Sequence, residues 1–150
     1  MIVRSCVCMF VAFAFPALAQ EKADAGWIEA AATGCRIWNA QPAPLESVTW
    51  SGGCVDGKAE GPGVLQWYVA GAPDDRYEGE MHGGRLHGHL AVSYANGDRF
   101  EGEWRRDRPN GPGTFVRNGW RVSGSWTNGC LEQDGRRYRV NVSAKDCGFR

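Results

Sequence analysis

Aliphatic side chains are scarce in this 150-residue chain: beyond residue 19, Leu, Ile, Val and Phe together supply only 19 of 131 positions. At high net charge such poverty would point to disorder. Charge of one sign is lacking too, with 17 basic against 17 acidic residues. Without a basic excess the chain is not a nucleic-acid binder. No apolar run approaches the roughly 20 residues needed to cross a bilayer as a helix. No pair of cysteines has the close C-x-x-C spacing of a zinc site, so no metal is expected. Ser-His-Asp, Gly-x-Ser-x-Gly and phosphate-loop patterns are absent, and Gly57, Gly61 and Gly63 do not open a helix that would cradle an anion. The sequence calls for no catalytic residue and no cofactor.

Aromatic residues and glycine fill the gap. Seven Trp and four Tyr all lie beyond residue 19, and the chain has 21 Gly. Each aromatic buries about 150–250 Å², so rings replace aliphatics as the source of apolar area.

Residues 1–19 read as a cleaved secretory signal. Arg4 precedes an apolar run of ten, Cys6 to Phe15, and Ala17-Leu18-Ala19 places cleavage before Gln20. The expected location is periplasmic or secreted, and the chain from Gln20 onward has the size of one domain. In an exported chain, the remaining Cys35, Cys54, Cys130 and Cys147 read as disulfides. Three connectivities are open. The local pairs Cys35–Cys54 and Cys130–Cys147 are favoured, each closing a loop of about 20 residues and stabilising the fold by about 3 kcal/mol in the chain-entropy model. Charge is uneven: residues 20–76 carry 4 basic and 8 acidic groups, residues 77–150 carry 12 and 9. An ordinary solvated surface accounts for this, although the basic C-terminal part would also suit an anionic surface.

A period emerges when the glycine–aromatic clusters are aligned. Trp50-Ser51-Gly52-Gly53-Cys54, Tyr77-Glu78-Gly79-Glu80-Met81, Phe100-Glu101-Gly102-Glu103-Trp104 and Val122-Ser123-Gly124-Ser125-Trp126 begin 27, 23 and 22 residues apart. That spacing marks a repeat array. Apolar, polar, Gly, polar, apolar is the period of a half-buried strand, with positions one, three and five on one face. The central Gly leaves a slot where a neighbouring ring can lie. Second strands follow with the same face at Gly61, Gly63, Leu65, Trp67; at Gly88, Leu90, Val92, Tyr94; and at Gly111, Gly113, Phe115. Asn96-Gly97 and Asn118-Gly119 are hairpin turns, and Asp134-Gly135 leads to a closing strand through Tyr138, Val140 and Val142.

These residues resemble the MORN repeat family (membrane occupation and recognition nexus), in an exported, bacterial-type form. Phe100, Gly102, Trp104, Gly111 and Gly113 fit its pattern well. Tyr77, Gly79, Gly84 and Gly88 fit with Met81 in the Trp place. Val122, Gly124, Trp126 and Gly129 begin a further copy. Trp50, Gly52, Gly57, Gly61 and Gly63 form a degenerate first copy, with Cys54 in the Trp place and an insertion at Ala70 to Asp75. The resemblance implies an all-β meander of antiparallel hairpins in one elongated sheet, acting as a scaffold or protein-interaction module without catalysis. The domain layout is a signal at 1–19, a lead-in and connector at 20–47, repeats at 48–130 and a disulfide-stapled tail at 131–150. Within the lead-in, Glu21 to Thr33 reads as a short helix with Ala23, Trp27, Ile28 and Ala31 on one face, or as an irregular stretch. Gln41-Pro42-Ala43-Pro44 is a stiff connector.

Polar clusters have structural readings. Glu78, Glu80, Glu101 and Glu103 suggest the paired carboxylates of glycoside hydrolysis, but they fall on the polar face, where Arg99 and Arg105 stand near enough to pair with them. His82, His87 and His89 lack further metal ligands. Trp67, Tyr68, Tyr94 and Trp120 are candidates for a sugar-stacking surface, of which Tyr68 and Trp120 are the positions expected to be exposed. Partners are thus an unknown protein or a second copy. The alternative is an envelope glycan or lipid surface, bound through exposed aromatics and C-terminal arginines.

Overall fold

The structure is a computed structural model that describes residues 26–149. The proposed signal segment and Ala23 lie outside the described residues. Twelve strands and no helix make up the described chain: β1 (Gly26–Glu29), β2 (Arg36–Asn39), β3 (Glu46–Trp50), β4 (Gly53–Val55), β5 (Lys58–Val69), β6 (Ala72–His82), β7 (Arg85–Ser93), β8 (Arg99–Arg105), β9 (Arg108–Arg117), β10 (Trp120–Trp126), β11 (Cys130–Gln133) and β12 (Arg136–Arg139). From β5 to β10 each strand pairs antiparallel with the next, while β3 and β4 pair with the opposite flank of β5. The strands form a hairpin meander, as the alternation predicts.

Turn chemistry sets the register. Asp56-Gly57, Ala70-Gly71, Gly83-Gly84, Arg106-Asp107, Asn118-Gly119, Asn128-Gly129 and Asp134-Gly135 each place two consecutive residues at positive φ. This is the two-residue hairpin turn whose twist matches that of the strands. Asn96-Gly97 departs from expectation. Asp98 N–H donates to Asn96 Oδ1 and Gly97 N–H to the Tyr94 carbonyl, giving a longer loop between Ser93 and Arg99. Asp98 holds that loop, buried at 5% exposure, and accepts both Nε and Nη2 hydrogen bonds from Arg117. The guanidinium keeps its carboxyl below the usual carboxylate range.

Three rows of residues cross the strands on one face. The first runs Trp50, Leu65, Tyr77, Val92, Phe100, Phe115 and Val122 in direct cross-strand register. Beside it runs Gly63, Gly79, Leu90, Gly102, Gly113 and Gly124, a furrow of glycines broken only at Leu90. Met81, Leu86, Trp104 and Trp126 stand in the third, all buried. Rings from the first row lie over the furrow. A Cβ on Gly63 would sit 2.6 Å from the Trp50 ring, and one on Gly113 2.5 Å from that of Phe100. At Gly102 the obstacle is different: the backbone of β9, at the Pro112 carbonyl and Gly113 Cα. Edge-to-face contacts join Phe100 to Trp104 and to Trp126.

Three local expectations are corrected. Trp27 and Ile28 belong to β1, not to a helix, and pair with Trp38 and Ile37 of β2. A helix would put both on one face, whereas the strand separates them, leaving Trp27 exposed and Ile28 packed on the core; Ala31 is exposed in the turn. Long-range contacts select the hairpin: Arg36 N–H donates to Gly57 O and Trp38 N–H to Gly84 O, while the Cys35–Cys54 disulfide (Cα–Cα 5.7 Å) ties it to β4. The lead-in therefore contributes Ala30, Cys35 and Ile37 to the core. The first repeat unit is not one strand. It breaks at Ser51-Gly52, where the Trp50 ring folds back and donates to Gly53 O, and Cys54 is exposed on β4 rather than filling a Trp place. The closing strand stops at Arg139. β12 pairs only with β11, forming a separate two-stranded sheet, and Val140 and Val142 are buried beyond the strand's end. Cys130–Cys147 (Cα–Cα 5.6 Å) closes this tail.

Candidate functional site

Period two along β6 carries Asp75 onto the same face as Tyr77, and both line a concave site. A cavity of about 250 Å³ opens between the packed face and the chain that leaves β2. Its aromatic walls are Trp38, Trp67 and Tyr77. Its polar lining is Asn39, Gln41 and Asn141 with four carboxylates, Glu46, Asp74, Asp75 and Asp107. The walls come from β2, β5, β6, the β8–β9 turn and the C-terminal tail.

Three of the four carboxylates are held, each differently. Glu46 accepts from Asn39 Nδ2 at 2.7 Å and from Ala43 N–H at 2.8 Å, which pins the proline-rich connector. Asp107 accepts from Leu86 N–H at 2.9 Å and pairs with Arg85 at 2.7 Å; burial still pushes its carboxyl above the ordinary value. Asp75 accepts from Ala95 N–H at 2.9 Å and from the Tyr77 hydroxyl at 3.4 Å. Burial raises its pKa, and the neighbouring Asp74 charge pushes the same way. No cationic side chain pairs with Asp75 among the described residues. Burial, with Asp75 close by, also drives the Tyr77 phenol well above its usual range. Asn141 spans the tail and the sheet, accepting from the Tyr94 hydroxyl and donating to that of Tyr77.

The proposed sugar-stacking residues are not brought together. Trp67 and Tyr94 pack against the core from the sheet's inner face. Tyr68 pairs with Ser47 and Pro73 on the opposite parity. Trp120, 42% exposed, lies in the far hairpin with its ring tilted 34° against Tyr138. The outer face bears the polar positions of the repeat. His89 stands 3.5 Å from Glu101 and 3.4 Å from Glu103, and His82 stands 2.8 Å from Glu60. Among the described residues those partners are His89 and not the expected Arg99 or Arg105, because His89 faces Glu103 directly in the β7–β8 register. His82 and His87 rings lie 5.7 Å apart, and no group of three potential ligands gathers to hold a metal among the described residues. Glu78 pairs with Arg76 at 3.4 Å.

Sequence reasoning missed the cavity. Asp74 and Asp75 read as part of an insertion, and Asp107 drew no reading at all. The available signal was parity, since counting back by two from Tyr77 reaches Asp75.

A meander of glycine-furrowed hairpins with a polar outer face defines a β-hairpin repeat protein. The MORN repeat family model matches three stretches of the chain, residues 49–69, 77–89 and 100–121. The matched stretches span β3 to the start of β10 and stop before Val122, Gly124, Trp126 and Gly129. No curated protein matches the chain. MORN repeats generally serve as structural or protein-interaction modules and are generally non-catalytic. The two close cysteine pairs are consistent with an oxidising, extracytoplasmic location.

Proposed function

We propose that the chain is an exported MORN-repeat scaffold, freed of residues 1–19 on secretion, that engages a protein partner or a second copy of itself outside the cytoplasm. The observation that carries this reading is the division of labour in the repeat. Large rings are spent on the glycine furrow, and the alternate positions leave an outer surface mainly of Glu, His, Ser, Thr and Arg, with Ala91, Pro112 and Val116 among them, across β7 to β10. That surface includes a depression lined by Ala91, Ser93, Pro112 and Thr114 together with Arg99, Glu101 and Arg121. A charged surface with a central depression suits a protein partner of complementary charge. The exposed edge of β10 offers a second means of association, because an edge strand presents unpaired backbone groups. The test is crosslinking followed by affinity capture from the native compartment. Recovery of a specific protein, or of a crosslinked homo-oligomer, supports the scaffold reading; recovery of glycan alone replaces it with envelope binding.

A further inference from the structure

The packed-face cavity carries a ligand chemistry that the scaffold reading does not use. Its lining holds four carboxylates, and among the described residues the one basic group that neutralises any of them is Arg85, bound to Asp107. Two carboxylates have a guanidinium: buried Asp98 has Arg117, and half-buried Asp107 in the cavity lining has Arg85. Half-buried Glu46, Asp74 and Asp75 have no cationic partner among the described residues, and the Asp74 charge adds to that of Asp75. Partly desolvated charge of one sign is costly unless paired.

The aromatic lining supplies an independent pointer to the same chemistry. Trp38 already accepts a cation, with the Arg85 guanidinium 4.2 Å from its ring centroid. Tyr77 is engaged edge-to-face by Tyr94 and Trp104. Trp67 makes no ring–ring or cation–ring contact among the described residues, and it lines the cavity with Asp74 and Asp75. An aromatic ring and cation-free carboxylates lining one cavity can together hold an ammonium or guanidinium group, through the ring quadrupole and the negative charge. At about 250 Å³ the cavity is smaller than the roughly 300–1,000 Å³ of pockets that take drug-sized ligands, so it fits a small cationic group.

We propose that this cavity binds an organic cation, with the charged group between the Trp67 ring and the Asp74–Asp75 carboxylates. The cation is either a free amine or guanidine or the tip of a Lys or Arg side chain on a partner; the recognising chemistry is the same. The site goes beyond the scaffold reading and is separable from it, because partner capture on the outer face does not require it.

Calorimetric titration of the purified, disulfide-intact protein tests the proposal with four probes: choline, agmatine, Nα-acetyl-lysine methylamide and, as the uncharged control, glucose. At least one cation is expected to bind saturably while glucose does not. Strongest binding of choline or agmatine identifies a free ligand, and strongest binding of the lysine amide identifies a partner's side chain. Asp75→Asn should weaken the best probe about tenfold or more, as should Trp67→Leu, with Tyr68→Ala on the other face unchanged. Should Asp75→Asn fail to fold, Asp74→Asn at the same cation position reads the same loss. Absence of binding by all three cations, equal binding of glucose, or full binding by a folded Asp75→Asn or Asp74→Asn protein overturns the proposal.

Discussion

Gly102→Val probes the furrow most severely. Gly102 faces Gly113 across the β8–β9 pair. A Cβ there would lie 2.5 Å from the Pro112 carbonyl oxygen, closer still to Gly113 Cα, and 3.2 Å from Phe100 Cε1. Two of these three neighbours are backbone, so no rotamer change relieves the contact. The strands must part by roughly 1 Å in an interior packed too closely to absorb it. Overpacking of this kind costs about 1–3 kcal/mol, and the two further methyl groups of Val put the change at or above the upper end. Against a total stability of about 5–15 kcal/mol this is a large fraction. Glu101→Gln, one residue away on the outer face and 71% exposed at the side chain, should stay within about 0.5 kcal/mol of wild type. Urea unfolding followed by Trp fluorescence reports on both, since Trp104 and Trp126 are buried beside the furrow. Equal midpoints for the two variants would refute the assignment of faces.

Removing the Cys35–Cys54 link with paired serines should cost about 3 kcal/mol and lower the melting temperature, because that link closes a 19-residue separation. Asp98 has its pKa depressed by Arg117, so its contribution is present above the ordinary carboxylate range and lost as pH falls through the folded value. Asp98→Asn should therefore melt lower than wild type at neutral pH, with the gap closing in acid. Asp75 has the opposite sign: its raised pKa favours the folded state below the unfolded value, and that advantage is lost as pH rises through the folded one. In the absence of ligand, Asp75→Asn should melt as high as wild type or higher at neutral pH, with any gain vanishing in acid; a clear loss at neutral pH contradicts the burial argument.

The repeat strands were legible because local alternation fixes them. In Phe100-Glu101-Gly102-Glu103-Trp104 the first and last residues are buried and both Glu side chains reach the other face, as period two requires. For the cysteines, spacing favoured the local pairs without choosing among three connectivities, and the structure brings those pairs together. What was not legible depends on contacts distant in sequence. The β1–β2 hairpin is selected by hydrogen bonds to Gly57 and Gly84 and by a bond to Cys54, none of which an Ala- and Trp-rich segment reveals. The break after Trp50 follows from its ring turning onto Gly52 and Gly63, a side-chain choice that alternation cannot encode. The cavity was hidden because Trp38, Asp75, Asp107 and Asn141 meet only once the tail crosses the sheet.

Site-specific photocrosslinking from the outer face, in the native compartment, tests the scaffold claim most directly. A crosslinker at Ser123 on β10, whose side chain is exposed beside Thr114, samples that face without disturbing the furrow. The account predicts a discrete protein adduct, either one partner or a second copy, that disappears when the crosslinker is moved to Arg137 on the separate β11–β12 hairpin. No protein adduct from Ser123, or the same adducts from both positions, would contradict it.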